Sequence, residues 1–397
     1  MRFCTRRFAV ATLSVVLVLT ATTRLTARQQ SVNDVLSFLL TNRSIPTGDF
    51  VQDEQAAAAT RDTISGFLLS ELSTLPISSS AGGFTYRLDP ALGTMMRSSD
   101  SFGPFFTERS LTGGQRQLSL GLSYQRASYQ NIDGRNLRDG TMVATASQVR
   151  GESAPFDVET VSLLLGTDTV TLAGNYGVSD RLDLGVAVPV VRLTLGGQRV
   201  DTYRGSELIQ ATASASASGL GDVVVRAKYN LLRRGGSGVA IGTELRLPTG
   251  NEENLLGAGD AAIQPRLIAS FEHDRIAVHS NIGYAFRGLS DELDYGAAVT
   301  VVGMPRLTVV GELVGRRLDS FGRLSETIAP HPVLARIDTI RLTSFPQATN
   351  RLVAVAGLKW NIVGTSLLSA NVLRPLTSTG LNARWVPTLT FDYSFGR

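Results

Sequence analysis

Apolar and polar positions alternate along most of the chain after residue 116, and residues 219–232 (GLGDVVVRAKYNLL) show the pattern clearly. Apolar side chains occupy every second position there, at Val223, Val225, Ala227, Tyr229 and Leu231. The positions between them are mostly charged or polar. Because successive side chains of a β-strand point to opposite faces, the stretch predicts a strand with one apolar face and one charged face.

The same period recurs in about twelve segments of the sequence. They are 116–127, 169–177, 182–195, 220–232, 239–248, 261–271, 276–286, 292–302, 307–315, 351–360, 366–374 and 384–395. Most match the roughly 9–11 residues with which a tilted strand crosses a bilayer. Every second connection is short and most of the others are long, as in outer-membrane barrels. The pattern predicts an all-β fold, a transmembrane antiparallel β-barrel of about 12 (12–14) strands over residues 116–397.

The charged faces of these strands indicate how the barrel would stand in a membrane. Open strand edges are not tolerated in lipid, so the sheet must close, with its apolar face toward the acyl chains. An arginine or lysine at the bilayer midplane costs about 2–4 kcal/mol, so Arg226 and Lys228 specify the register by facing inward. A periplasmic β-sandwich is the soluble alternative, but its exposed face would be the polar one.

Polar residues on the inward faces are the candidate pore-lining site. They are Asp222, Arg226, Lys228, Glu244, Arg246, Arg266, His279, Asn281 and Lys359. Two roles stay open for them, namely contact with a passing solute and ion pairing between neighbouring strands inside the barrel.

The first 27 residues are typical of a secretory signal peptide. A basic start (Arg2, Arg6, Arg7) precedes an apolar run at 8–21, and small residues surround a cleavage position after Ala27. Four of the 38 basic residues fall in this segment, so those that remain equal the 34 acidic residues in number. We therefore expect export to the outer membrane of a Gram-negative-type bacterium, and no concentrated basic face that would bind nucleic acid.

Residues 28–115 differ from the rest of the chain. Helical spacing of apolar residues predicts helices at 32–40 and 60–72, and residues 82–109 are typical of one or two short hairpins. We interpret 28–115 as a short, partly helical periplasmic or plug-like segment, with a loose secreted leader as the alternative.

Three short motifs stand out within the strand pattern. They are Gly-Asp at 221–222, Ala-Lys-Tyr at 227–229 and Leu-Pro-Thr-Gly at 247–250. Together with YGVSDRLDLGVAVPVV at 176–191 they resemble the outer-membrane proteins of the MetA-pathway of phenol degradation family, over about residues 160–395. The resemblance implies a channel associated with uptake of aromatic or other small hydrophobic compounds. The C-terminal strand also resembles the alternating aromatic signal that barrel-assembly machinery reads, although two further residues follow Phe395.

The sequence predicts no catalytic residue, metal site or cofactor. By parity His279 faces inward and Ser280 outward, so these two cannot form a nucleophile and base. The loop 249–260 carries three carboxylates that could hold Ca²⁺, but it lacks the spacing of an EF-hand. The low-complexity run ATASASAS at 211–218 is interpreted as a mobile outer loop.

The sequence leaves three candidate functions for this protein. The first is an outer-membrane channel for passive passage of small molecules, with hydrophobic or aromatic compounds as candidate solutes, whose partners are membrane lipid, solutes and the barrel-assembly machinery. The second is a structural or adhesion barrel with a plugged lumen and binding loops at 128–168 and 316–350. The third is a barrel enzyme that acts on lipid.

Overall fold

The computed structural model describes residues 30–41, 49–74, 79–80, 82–89, 94–287, 290–319 and 321–395, so the predicted signal peptide lies outside the described residues. Helices and strands in these ranges are α1 Val32–Leu40, α2 Phe50–Thr74, β1 Tyr86–Asp89, β2 Thr94–Arg97, β3 Leu118–Ile132, β4 Arg135–Asn136, β5 Met142–Val149, β6 Asp157–Gly177, β7 Leu182–Tyr203, β8 Ser206–Leu220, β9 Val223–Arg234, β10 Ser237–Leu247, β11 Ala262–His273, β12 Ile276–Ala285, β13 Glu292–Met304, β14 Leu307–Leu318, β15 Arg323–Pro330, β16 Ile337–Phe345, β17 Thr349–Val363, β18 Ser366–Pro375, β19 Leu381–Ala383 and β20 Val386–Phe395. Neither described helix is long and apolar enough to cross a membrane.

Twelve of these strands close a barrel. The hydrogen-bonded circuit runs β3, β6, β7, β9, β10, β11, β12, β13, β14, β17, β18 and β20, and β20 pairs back with β3. All the pairings are antiparallel. Each strand of the circuit overlaps one of the twelve segments identified from the alternating pattern. The predicted fold class is therefore confirmed.

The exterior of the barrel is apolar. Ile241, Leu172 and Leu389 point outward from three different strands and are each about half exposed. Aromatic residues lie near the strand ends, and Tyr393 and Phe395 lie at the end of the barrel that carries the short turns. An apolar band between aromatic residues is the exterior of an outer-membrane barrel, and it places this protein in the outer membrane.

Some strands continue well beyond the membrane at the end opposite the short turns. β6 and β7 have 21 and 22 residues, about twice the length needed to cross a bilayer. With four additional strands they form an open sheet in the order β15–β16–β5–β6–β7–β8, here named the outer wall. Long extensions are typical of the extracellular side, so the short turns face the periplasm.

The interpretation of residues 211–218 as a mobile outer loop is wrong. These residues belong to β8, which pairs with β7 throughout. Ala213, Ala215 and Ala217 pack into the buried apolar cluster that contains α1. Alternation of alanine with serine or threonine has the strand period, and small side chains let a helix approach the sheet closely. Low complexity masked that period.

Helix α1 packs against the inner face of the outer wall. Ser31 caps it through a capping box, since its hydroxyl accepts from the Asp34 amide at 3.0 Å. At the other end, Arg199 of β7 donates to the Phe38 carbonyl at 3.0 Å and pairs with Glu159 at 3.0 Å. A cation at the last carbonyls of a helix offsets its dipole, so Arg199 fastens α1 to the wall.

Buried ion pairs also hold helix α2 against the strands. Asp53 pairs with Arg341 of β16 at 2.5 Å. Near the C-terminal end of the helix, Glu71 accepts from Arg316 at 2.7 Å and also from Arg351. These side chains are almost fully buried. Both helices therefore lie at the outer end of the barrel, away from the periplasmic turns.

We expect the outer wall to loosen as the pH rises. Asp157 begins β6, far outside the membrane, and burial together with neighbouring Asp201 raises its pKa to about 7. The folded protein thus holds a proton that the unfolded chain releases near pH 4, so this stabilisation is complete in acid and is lost as the pH rises through about 7. Hydrogen exchange in 157–163 and 197–203 should be faster at pH 8.5 than at pH 5.5, after correction for the intrinsic rate. The Asp157→Asn variant should abolish that difference, and a difference that persists in it would contradict the assignment.

Candidate functional site in the barrel lumen

The alternating pattern of β9 sets the geometry of the lumen. Arg226, Lys228 and Asn230 face inward, and the last two are almost fully buried. Val225 and Tyr229 face outward and are each about 40% exposed. The charged side chains thus have protein and not lipid around them, which is the arrangement that the cost of a lipid-facing cation requires.

The described residues between 79 and 113 (79–80, 82–89 and 94–113), here named the interior segment, run through the lumen and contact the inward side chains of the barrel. At the periplasmic end the Ser98 hydroxyl accepts a hydrogen bond from Arg233 at 2.8 Å. The Ser99 hydroxyl donates one to Glu272 at 2.6 Å. The segment ends beside the turn after β6, where the Gly113 amide donates to Asp183 at 2.9 Å. The short hairpin of β1 and β2 belongs to this segment.

Glu108 is the central ionic contact of the interior segment. Its carboxylate lies 3.3 Å from Lys228 Nζ and 3.8 Å from an Arg226 guanidinium nitrogen. The backbone of Glu108 pairs with the Asn281 side-chain amide, which donates to its carbonyl at 2.9 Å. Removing one partner of such a buried pair costs about 3–5 kcal/mol, because the other charge is left without compensation.

A second contact fixes the chain just before Glu108. Glu312 of β14 accepts hydrogen bonds from the backbone amides of Phe105, Phe106 and Thr107, the last at 2.9 Å. Lys359 of β17 donates to the Gly82 and Pro104 carbonyls at 3.0 Å and 2.9 Å. The wall thus supplies an acceptor for the amides and a donor for the carbonyls of the same segment.

Ion pairs also run along the wall itself. Arg226 on β9, Glu244 on β10 and Arg266 on β11 form a row with separations of 3.1 Å and 3.2 Å. Arg266 continues the row to Asp294 on β13 at 3.0 Å. The intervening strand β12 has Gly283 there, and a Cβ atom at that position would lie 2.3 Å from an Asp294 carboxylate oxygen. The glycine leaves room for the ion pair to pass.

Two small cavities lie beside this row. One of about 50 Å³ is lined by the row and by Phe106 and Thr107 of the interior segment. Another of about 20 Å³ lies nearer the outer end, below α2, and includes Leu69 and Phe321. Both are lined by Arg246 and Arg287. A water needs roughly 10–15 Å³ of such space, so these volumes hold a few waters and no larger solute.

The remaining predicted residues have structural contacts. Asp222 accepts from the Gly250 and Ala258 amides at 3.1 Å and 2.9 Å, which folds the 249–260 loop around its carboxylate. His279 is 2% exposed and its Nδ1 lies 2.9 Å from Ser270 Oγ. Ser270 Oγ in turn accepts from the Ser110 amide at 2.9 Å. The pair joins the wall to the interior segment.

The structure therefore brings Arg226, Lys228 and Glu244 together, and it places Asp222 and His279 at separate points. Glu312 and Glu108 were missed in the sequence reading. Glu312 could have been found, because it lies in phase with the inward residues of β14. Glu108 lies in an irregular segment without periodicity, so no sequence signal placed it in the lumen.

A hydrolytic site or a metal site would need further groups. Among the residues described, His279 Nε2 has no hydrogen-bond partner, whereas a catalytic histidine is oriented by a third group. Within the same ranges there is no cluster of three or more His, Cys, Asp or Glu side chains placed to hold a metal ion.

Comparison with solved structures finds other outer-membrane barrels. An outer-membrane channel from Pseudomonas putida F1 is 13% identical, with a TM-score of 0.48 over 72% of this chain and 98% of that one. The toluene transporter TbuX from Ralstonia pickettii is 10% identical, with a TM-score of 0.26 over 72% and 91%. The protease OmpT from Escherichia coli is 9% identical, with a TM-score of 0.26 over 70% and 97%. No curated protein matches the sequence.

A family model gives the more specific result. Residues 139–303 match the family described as Putative MetA-pathway of phenol degradation. The matched region includes β6 to β12 with the ionic row from Arg226 to Arg266, and all three motifs noted in the sequence. The resemblance found in the sequence is thereby confirmed over the matched region, and residues 139–303 of this outer-membrane barrel are similar to the family described as Putative MetA-pathway of phenol degradation.

Proposed function

We propose that the protein is an outer-membrane channel for small apolar or aromatic molecules, and that the interior segment is its plug. The observation that carries the proposal is that a separate, tethered segment fills the lumen of the twelve-stranded barrel through polar contacts. Barrels of about eight strands fill their interior with wall side chains alone, and a wider barrel needs an additional element to close it.

The contacts that hold the interior segment in the lumen support the proposal that this segment can be displaced. Glu108, Glu312 and Lys359 make its main contacts, and all three bind partners that water could replace. A plug held by a large apolar interface would expose that surface on leaving, at a cost of roughly 25 cal/mol per Å². Buried polar contacts are costly to break, but their groups regain hydrogen bonds from water once the segment moves, so the segment can move without unfolding the barrel.

The family supports the solute class. Its description concerns phenol degradation, and phenol is a small aromatic molecule. The cavity between the wall and the interior segment and the cavity between the wall and α2 mark the side on which we propose that the path opens, along β10 to β14. The path would begin below α2 and continue past Arg246 and Arg287 once Phe106 and Thr107 move away.

A structural or adhesion barrel is the second candidate, and the small cavities favour it. With the interior segment in place, the spaces of about 50 Å³ and 20 Å³ do not form a pore for solutes. In this case the outer wall would carry the function. We propose no catalytic role, because the Ser270–His279 pair lies under the interior segment and away from lipid.

We also propose that barrel-assembly machinery recognises β20. Its outward positions alternate with polar ones and carry Leu389, Phe391, Tyr393 and Phe395. This is the strand that closes the barrel by pairing with β3.

A disulfide between the plug and the wall tests the channel function. The single cysteine of the sequence lies in the predicted signal peptide, so Ser110→Cys with Ser270→Cys introduces one thiol pair where the Ser110 backbone amide meets the Ser270 side chain. In liposome-swelling assays with sugars, amino acids and phenol, we expect the oxidised double variant to pass solute several-fold more slowly than after reduction. Equal flux in both redox states would contradict a moving plug.

The control variants are the two single substitutions, Ser110→Cys and Ser270→Cys, whose flux should not respond to reductant. Wild-type protein that passes none of the solutes would remove the channel and leave the structural barrel.

A further inference from the structure

Charged residues interrupt the apolar exterior of the barrel at one level. Four arginines on neighbouring strands are exposed there, and they are here named the outer arginine arc: Arg126 of β3, Arg192 of β7, Arg374 of β18 and Arg384 just before β20. β18, β20, β3, β6 and β7 follow one another around the barrel, so the arc is continuous. On β6 the position is occupied by Asp168.

The level of the arc follows from strand length. Counted along each strand from its periplasmic end, these five residues lie 8–11 positions away. A tilted strand crosses the hydrocarbon in roughly 9–11 residues. The arc therefore lies at the outer edge of the apolar band, where the head groups of the outer leaflet begin.

The middle of the arc has a defined geometry. Arg126 and Arg192 are both directly opposite Asp168 in the strand register. Asp168 accepts from the Tyr124 hydroxyl at 2.6 Å and lies 3.8 Å from the Arg126 guanidinium. The Arg126 side chain is 68% exposed, so its pairing with Asp168 leaves most of the guanidinium accessible. Two cations flank one anion, which leaves a net positive site facing the membrane.

We infer that the outer arginine arc binds the phosphate groups of a phosphorylated glycolipid in the outer leaflet. Guanidinium groups bind phosphate through paired hydrogen bonds. At this depth a bound head group displaces water from the arginine side chains, which strengthens the attraction between guanidinium and phosphate. Within the arc, Arg374 stacks on Trp385 with its guanidinium 4.9 Å from the ring, which holds the cation at the interface. This inference does not depend on the proposed channel function.

The test uses purified full-length barrel in a neutral detergent, with EDTA present and bisphosphorylated lipid A as the probe. We expect lipid A to raise the thermal unfolding temperature by several degrees, and dephosphorylated lipid A to have less than half of that effect. The double substitution Arg126→Gln with Arg192→Gln should remove the difference between the two lipids. Asp168→Asn should increase the effect of lipid A, because it removes the anion that repels phosphate.

The matched control is Arg234→Gln with Arg275→Gln, two exposed arginines at the periplasmic turns, which should respond to lipid A like the wild type. Three results would overturn the inference. They are equal stabilisation by both lipids, an undiminished response of the Arg126 and Arg192 double variant, and the same stabilisation by inorganic phosphate alone.

Discussion

Replacement of Glu108 by lysine is expected to open the lumen and to raise solute flux at least tenfold over the wild type. The substitution removes the carboxylate that lies 3.3 Å from Lys228 and puts a third cation beside Lys228 and Arg226. Breaking such a buried pair costs about 3–5 kcal/mol, and like charges add repulsion. The barrel hydrogen bonds do not involve this side chain, so the free energy should be released by moving the interior segment. Planar-bilayer conductance measures the effect directly.

The charge swap is the control. Glu108→Lys combined with Lys228→Glu restores one attraction across the same contact and should return conductance most of the way to the wild-type value. Glu108→Gln, which is nearly isosteric, should give an intermediate conductance. A Glu108→Lys barrel that folds, as judged by its heat-dependent mobility on a gel, and that conducts no better than the wild type would show that Glu108 does not hold the plug.

The second large effect concerns the exterior. Ile241 lies near the middle of β10, faces outward and is 47% exposed to what would be lipid. Ile241→Arg should cost about 2–4 kcal/mol, a large part of a typical domain stability of about 5–15 kcal/mol. We expect a marked loss of folded protein in the outer membrane and a lower midpoint in denaturant titrations of barrel reconstituted in vesicles.

Depth in the bilayer provides the matched control. Leu232 is also apolar and outward, at 67% exposure, but it lies at the periplasmic end of β9 next to a turn. The same arginine substitution there should cost about 0–1 kcal/mol, because the side chain reaches the interface. Equal losses at both positions would contradict the placement of the apolar band.

The interior segment changes how the mixed charges of the lumen are understood. Solute contact and ion pairing between strands were the two roles open from sequence. Arg226 and Arg266 pair with Glu244 on the wall. Arg226 also lies 3.8 Å from Glu108 of the interior segment, and Lys228 and Lys359 bind that segment directly. Displacement of the interior segment would break the contacts of the residues that bind it, since that segment lies outside the circuit of barrel strands.

The sequence by itself determined the barrel. In lipid every backbone group must be paired within the sheet, and each charged side chain must avoid the acyl chains, so alternation alone dictates strands, faces and closure. Asp222, Arg226 and Lys228 could be assigned to the inside for that reason. A second local period, that of a helix, predicted α1, whose buried Val35, Leu36 and Leu39 repeat with helical spacing.

Only the tertiary structure decided what fills the barrel. Contacts of the interior segment join residues more than 100 positions apart, such as Glu108 with Lys228 and Thr107 with Glu312. Outside the short β1–β2 hairpin the segment has no period of its own, because its backbone groups are satisfied by wall side chains instead of a regular partner strand. The outer wall was hidden for a different reason: β8 has the alternation of a strand, but its small, low-complexity side chains give a weak signal, and only the helix packed on its alanines shows which face is buried.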